Sequence, residues 1–291
     1  MNGITEPRPG RRLLLLHAHP DDESIQTGGV IARYLAEGVD VRVLTFTLGE
    51  EGEVIGDRWA HLVADEADQL GGYRIAELSA ALTALSVRGR DLLTPRFLGG
   101  AGRWRDSGMA GTPSAENPRA LVQASAEELT AALVDEITAF DPQVVVTYDA
   151  DGTYGHPDHI RVHEISHRAL PIATARLGHP IKVYETATPA SALAVGQLAI
   201  GEIPDGWRHP EPGELASCPD ELVTAAVDVT EFFEAKIDAL IAHATQIVVA
   251  PDRTEFALSN MIVQPSLPTE YFVRVDVADP EFETDLFAGL P

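Results

Sequence analysis

Two stretches of this chain concentrate imidazoles and carboxylates where an apolar run ends. The first, His17-Ala18-His19-Pro20-Asp21-Asp22-Glu23, directly follows the leucines at 13–16. The second, Tyr148-Asp149-Ala150-Asp151-Gly152-Thr153-Tyr154-Gly155-His156-Pro157-Asp158-His159, directly follows the valines at 144–146. Three protein ligands drawn from His and Asp, with a fourth position left to water, are the pattern of a catalytic zinc site. His19 and Asp22 can supply two from one loop, and His156 or His159 the third. Adjacent Asp21 and Asp22 do not readily point the same way as the chain leaves the strand. One can therefore coordinate while its neighbour stays free as a base beside the metal-bound water, whose pKa zinc lowers towards roughly 7. Pro157 suits the first turn of a helix, and His156 and His159, three apart, can face one site. One can ligate while the other, if protonated, stabilises an oxyanion, and Asp158 can hold an imidazole in orientation. Zinc, one per chain, suits this donor set, and Fe(II) can occupy it under reducing conditions.

The elements that position these loops read as alternating strands and helices, the signature of a parallel sheet with crossover helices. Strands are expected at 13–16, 41–46, 96–98, 144–146 and 181–185. A helix capped by Ser24 should run to about Glu37 before Gly38 ends it. Further helical patterns cover 59–70, 75–85 and 125–140, the last with Ser125 as cap and Glu128 three residues on. Another helix should start at Pro157. Residues 99–118 have no period, and a connection that long is usually functional or disordered. Beyond a Pro/Gly-rich stretch at 187–219, a strand at 223–229, a helix from 230 to about 246 and a strand at 271–275 look like a smaller cap. The expected fold is α/β, a Rossmann-like three-layer sandwich with a mostly parallel sheet. Residues 1–186 should form the metal-binding catalytic core and 187–291 a smaller α+β region completing the cleft. Both polar clusters then sit past the carboxyl ends of parallel strands, where open α/β sheets bind ligands. A dinucleotide site would need Gly-x-Gly-x-x-Gly after the first strand; imidazoles and carboxylates fill that turn instead.

Composition narrows the partners. At 291 residues the chain is long enough to bury a sizeable core, and 45% hydrophobic with 23% charged residues is the ordinary globular range. Asp and Glu outnumber Lys and Arg by 45 to 21, so the surface repels nucleic acid phosphates and anionic membranes and favours a neutral or cationic small molecule. The single Cys218 excludes an intrachain disulfide framework and points to a reducing cytoplasm. Residues 1–12 read as a mobile start leading into a strand, and the apolar run at 13–16 is far too short for a signal-peptide core or a membrane span. Oligomeric state leaves no mark in the sequence.

Ala18-His19-Pro20-Asp21-Asp22-Glu23, followed about 130 residues later by Gly155-His156-Pro157-Asp158-His159, resembles the zinc-dependent N-acetylglucosaminyl deacetylases of the PIG-L/LmbE type. The likeness is dense over residues 12–170. Within that family, the segments 49–59, 69–74 and 99–109 are similar to the mycothiol-biosynthesis branch, which deacetylates the 1-O-glycoside of N-acetylglucosamine with myo-inositol. The resemblance implies that His19, Asp22 and His159 bind zinc and that Asp21 is the general base. It implies an electrostatic or acid role for His156 with Asp158 orienting it, and a carbonyl-polarising role for Tyr154. Arg74 and Asp106 match polar substrate contacts on loops around the crevice, with Glu53 and Met109 as further contacts in the sugar or inositol pocket.

Plainer readings stand beside these. His17 alternates with His19 and should point away from the site. His163 and His167, four apart, read as an exposed polar face. Glu53 sits in a turn that by default is solvated acid, Arg103, Arg105 and Asp106 can simply brace a loop, and Met109 can be gap-filling core. The nearest rival function is the sister amidase that cleaves mycothiol S-conjugates, where the family likeness leads one to expect Lys at position 26; the residue here is Gln26. Two His and one carboxylate also make the facial triad of non-haem Fe(II) oxygenases, but their usual scaffold is all-β. A non-catalytic metal- or sugar-binding module would leave the free carboxylate of Asp21 without a purpose.

Overall fold

The computed structural model describes residues 10–89 and 91–290; of the expected mobile start at 1–12, residues 1–9 lie outside them, and Arg12 already opens the first strand. In chain order the elements begin β1 (Arg12–His17), α1 (Asp22–Ala36), β2 (Asp40–Thr45), α2 (Leu70–Leu85), α3 (Ala126–Phe140) and β3 (Val144–Thr147). They continue with a single turn α4 (Gly152–Gly155), α5 (Pro157–Leu177), β4 (Lys182–Ala187), α6 (Ala190–Ala199), β5 (Ala225–Asp228) and α7 (Phe233–Ala242). The short strands β6 (Val248–Val249), β7 (Glu255–Ala257) and β8 (Gln264–Pro265) precede β9 (Thr269–Arg274).

The four leucines of β1 are completely buried, and strand alternation divides them between two cores. Leu13 and Leu15 pack with Val144 and Val146 of β3 against Val30, Ile31 and Tyr34 of α1 and Leu78 and Leu82 of α2. Leu14 and Leu16 pack with Val145 against Leu129 and Leu133 of α3 and Val162 and Ile165 of α5. A strand buried on both faces has no polar face to spare, which is why these runs are uniformly apolar. The result is the three-layer α/β arrangement the sequence implies. The six-stranded sheet has the order β2-β1-β3-β4-β9-β5, parallel from β2 to β4 and antiparallel where β9 meets β4 and β5. Strands β6, β7 and β8 form a separate small antiparallel sheet. The chain leaves β1 towards β2 and returns on its other side as β3, so the strand order reverses between β1 and β3. Ligands of open α/β sheets bind at that switch point.

Three local expectations differ from the structure. Helix α1 starts at Asp22 rather than after Ser24, whose hydroxyl donates to Glu23 within the first turn (2.5 Å); the Asp21 carbonyl accepts from the amides of Ser24 and Ile25 instead (3.0 Å each). Residues 59–70 hold only a 3-10 turn, Asp57–Leu62, with no buried residue, although Trp59, Leu62, Val63 and Ala67 repeat at helical spacing; the left-handed Asp68 (φ 51°) interrupts the chain before α2. Phe97 makes one parallel bridge to Thr45 and no strand, for Pro95 and the left-handed Gly99 (φ 67°) interrupt the chain on either side. Ser125 does cap α3, accepting from the Glu128 amide at 3.3 Å. Among the described residues no helix is long and apolar enough to cross a membrane.

Candidate metal centre

Both polar clusters meet at the carboxyl ends of β1 and β3. His19 Nδ1 lies 3.6 Å from Asp22 Oδ2, His159 Nε2 lies 3.4 Å from the same oxygen, and the two ring nitrogens are 3.4 Å apart. Tetrahedral zinc with bonds of about 2.0–2.1 Å places its ligands roughly 3.3–3.4 Å from one another, so this triangle has the span of three corners around one ion. His156 belongs to the same group: His19, His156 and His159 each present a donor within 4.8 Å of the others. The ligand atoms are held from behind. Asp22 Oδ2 accepts from the His19 amide (2.9 Å) and the Tyr148 hydroxyl (2.7 Å). The Tyr148 ring stacks on His159 with centroids 4.2 Å apart.

Burial alone would depress the His19 pKa, but Asp106, Asp158 and Asp22 outweigh it and hold it well above the ordinary value. Its Nε2 reaches Asp158 Oδ2 at 3.2 Å and Asp106 Oδ1 at 3.5 Å, which directs Nδ1 at the triangle, the usual way a carboxylate fixes the tautomer of a metal-binding imidazole. Burial raises Asp22, yet His159, His19 and His17 together bring it well below the carboxylate range. Asp21, Asp22, Asp106 and Asp158 thus crowd three imidazoles in a buried pocket, and a divalent cation is what such a donor set is suited to hold.

Asp21 occupies a strained backbone conformation (φ 133°) just ahead of α1. Its amide donates to Glu23 Oε2 (3.0 Å), and Glu23 Oε1 accepts from His243 Nε2 at the end of α7 (2.8 Å). Its carboxylate accepts from Arg74 Nη2 at 2.9 Å. Burial pushes Asp21 up to about 6, against the pull of the Arg74 guanidinium and with the repulsion of Asp22. That is close to the value a base working near neutrality needs.

The second loop owes its shape to Gly152, at φ 61°: a Cβ there would lie 2.7 Å from the Ile160 amide nitrogen and 2.9 Å from His159 Cβ. Thr153 follows in another positive-φ conformation, its amide tied to Asp149 Oδ1 (2.7 Å). This kinked turn sets the Tyr154 ring edge-on to His159 (centroids 5.1 Å) and His156 (6.0 Å). Although the residue is 53% exposed, desolvation among the neighbouring Asp22, Asp21 and Asp106 carboxylates raises the phenol pKa, so Tyr154 keeps its proton and can donate it in a hydrogen bond.

Four placements correct the sequence reading. His156 is the N-cap of α5, and its Nδ1 accepts the Asp158 amide (3.2 Å). The ring is neutral, lowered to about 3 by burial and by His19 and His159, so it offers an Nε2–H rather than the charge of an imidazolium. The Asp158 carboxylate goes to His19 and the Ser107 amide (3.0 Å), not to His156. Arg74 lies in α2 rather than on a loop, only 2% exposed, with its guanidinium committed to Gly49 O, Pro20 O and Asp21. Asp106 is 3% exposed and accepts from the Gly108 amide (2.8 Å) besides facing His19. Glu53 and Met109 are exposed on their loops, and His17 turns its Nε2 to Thr27 Oγ1 (3.0 Å). Sequence reasoning gave no role to Tyr148, Glu23 or His243. Tyr148 could have been suspected from its place directly after β3; His243 carries no local signal.

Comparison with known proteins gives a family and a shared fold. Residues 14–170 match the family model PIG-L, described as GlcNAc-PI de-N-acetylase. A relative from Gordonia bronchialis, named 1D-myo-inositol 2-acetamido-2-deoxy-alpha-D-glucopyranoside deacetylase, is 62% identical, the match covering 96% of this chain and 100% of the relative. A relative of the same name from Rhodococcus jostii is 58% identical over 96% and 98%. Among solved structures, the zinc-inhibited form of teicoplanin deacetylase Orf2 matches with a TM-score of 0.51 at 21% identity, over 92% of this chain and 100% of that one. The 4-carboxy-2-hydroxymuconate hydratase GalB of Pseudomonas putida matches with a TM-score of 0.56 at 18% identity, over 93% and 98%. A hydratase sharing the fold shows that the fold alone does not choose the reaction.

Proposed function

The chain belongs to the PIG-L family, the GlcNAc-PI de-N-acetylases, and from that premise we propose that it hydrolyses the N-acetyl amide of 1-O-(2-acetamido-2-deoxy-alpha-D-glucopyranosyl)-1D-myo-inositol, giving acetate and the free amine. The observation that carries the reading is the triangle of His19, Asp22 and His159 donors with the unligated carboxylate of Asp21 beside it. The ion is proposed to be zinc, with Fe(II) able to take its place under reducing conditions. When bound, it supplies Lewis acidity that activates the attacking water and polarises the amide carbonyl.

The chain's own groups do the rest. Asp21 takes the proton of the attacking water. As negative charge develops on the carbonyl oxygen, the Tyr154 hydroxyl and the His156 Nε2–H are the available donors to it. Neutral donors suit this task because the nearby cation already supplies positive charge. Protonated Asp21 then returns its proton to the departing nitrogen as the carbon–nitrogen bond breaks, which leaves acetate and an amine and restores the base. Arg74 positions Asp21, while Asp158 and Asp106 position His19. Glu53 and Met109 remain the proposed contacts at the sugar or inositol rim. Residues 187–291 complete the site through His243, which reaches Glu23 behind the base. The acidic surface and the free Cys218 fit a cytoplasmic enzyme acting on a neutral sugar.

The test compares acetate release from the acetylated glucosaminyl-inositol and from free N-acetylglucosamine with amide cleavage of a mycothiol S-conjugate, followed as release of the free glucosaminyl amine, at matched enzyme and zinc, with and without chelator. The inositol-linked sugar should have the highest kcat/KM, and chelation should abolish turnover. Faster cleavage of the S-conjugate would make the chain the sister amidase instead.

A further inference from the structure

One and two turns beyond His159, α5 and the neighbouring strand β4 bring together donors for which the deacetylation has no use. We infer that His163, His167 and Glu185 form a second divalent-cation site, separate from the first, for an imidazole-preferring ion such as Zn2+ or Ni2+. His163 and His167 are one turn apart on α5, so both rings project from the same face; their centroids lie 4.3 Å apart. Glu185 comes from β4, and one of its oxygens, Oε1, lies 3.3 Å from His163 Nδ1 and 2.9 Å from His167 Nε2. Each of the three residues offers a donor within 4.8 Å of the other two.

An ordinary ion pair would account for one of these imidazoles, but not for both converging on one carboxylate oxygen. Without a cation, that oxygen takes the His167 Nε2–H at 2.9 Å, while the His163 Nδ1–H is shared between it at 3.3 Å and the Tyr148 carbonyl at 2.9 Å. Charging both rings at once would set two positive groups against each other around a single negative one. A divalent ion replaces the two inward protons and satisfies all three donors together, and two imidazoles with a carboxylate are a donor set that zinc and nickel accept. Both backbones are rigid here, a helix of 21 residues and a strand hydrogen-bonded on both sides, so little ordering is needed to form the site. The His163 side chain is 18% exposed, Glu185 13% and His167 38%, which leaves room for water to complete the coordination. His163 Nδ1 is also 2.9 Å from the Tyr148 carbonyl, a further oxygen donor at the edge of the cluster.

Metal uptake by the full-length chain tests this. Metal-free protein is dialysed against buffered zinc over a rising range of free concentration, and bound zinc is counted by elemental analysis. The expected result is two equivalents, the weaker lost in His167→Ala and in Glu185→Gln while the tighter one and its turnover persist; that persistence also shows the variants are folded. His19→Ala should lose the tighter equivalent and keep the weaker, and His61→Ala, which removes an exposed imidazole paired only with Glu66 among the described residues, should keep both. Saturation of the wild-type chain at one equivalent, or a second equivalent that survives in both His167→Ala and Glu185→Gln, would overturn the proposal.

Discussion

Replacing Arg74 with Met should move the acid limb of the pH–rate profile upward. Asp21 must be ionised to take a proton, and burial already raises it to about 6 while the Arg74 guanidinium pulls it down. The contact is 2.9 Å long and buried. Coulomb attraction at that distance with an effective dielectric of 20 is roughly 6 kcal/mol, an upper bound, because pairing also costs desolvation. Measured hydrogen bonds to charged groups contribute about 1.5–3 kcal/mol, and one pKa unit corresponds to about 1.4 kcal/mol. Arg74→Met should therefore raise the limb by about 1–2 units, and activity lost near neutrality should return at alkaline pH. The sign follows from the base: the guanidinium favours the ionised form, so its removal makes Asp21 hold its proton to higher pH. Arg74→Lys keeps a charge without the three-way bonding and should fall between. The assay is acetate release across pH with bound metal measured in each variant, so that equal metal content isolates the guanidinium. An unmoved limb with a raised KM and a lost preference for the inositol-linked sugar would refute this reasoning and return Arg74 to the substrate.

Asp22→Ala and His159→Ala should lose bound metal, whereas Asp21→Ala should retain it and lose most turnover; equal metal loss in all three, read by elemental analysis, would remove the distinction between ligand and base. His156→Ala should lower kcat by on the order of a hundredfold with little change in KM, and a raised KM with intact kcat in steady-state assays would contradict its oxyanion role. Glu23→Ala strips the partner from His243 in a pair with no solvent exposure and should cost about 3–5 kcal/mol of stability, measurable by denaturant unfolding of the metal-free protein. In that pair Glu23 raises His243 against the effect of burial, and His243 lowers Glu23 likewise. The His243 contribution is accordingly full at low pH and is lost as pH rises through its folded-state pKa, while the Glu23 contribution is lost as pH falls through its own.

What the chain declares locally is the frame and the donors. Uniformly apolar strands announce burial on both faces, and each polar cluster begins at the end of its strand, so the strand must deliver it to the sheet's carboxyl edge. Helices with an apolar stripe are legible for the same reason, but the stretch at 59–70 shows that a stripe alone does not suffice: Trp59, Leu62 and Val63 have the spacing and none of them is buried. What tertiary structure decided is who bonds to whom. The neutral state of His156 comes from burial and from crowding by two other imidazoles. The Asp158 carboxylate crosses 139 positions to reach His19, Arg74 crosses 53 to reach Asp21, and His243 crosses 220 to reach Glu23. Local sequence encodes periodicity and turn chemistry, because those depend on neighbours along the chain. Hydrogen-bond partners and pKa values depend on distances in space and on the exclusion of water, and both exist only once the helices have closed over the sheet.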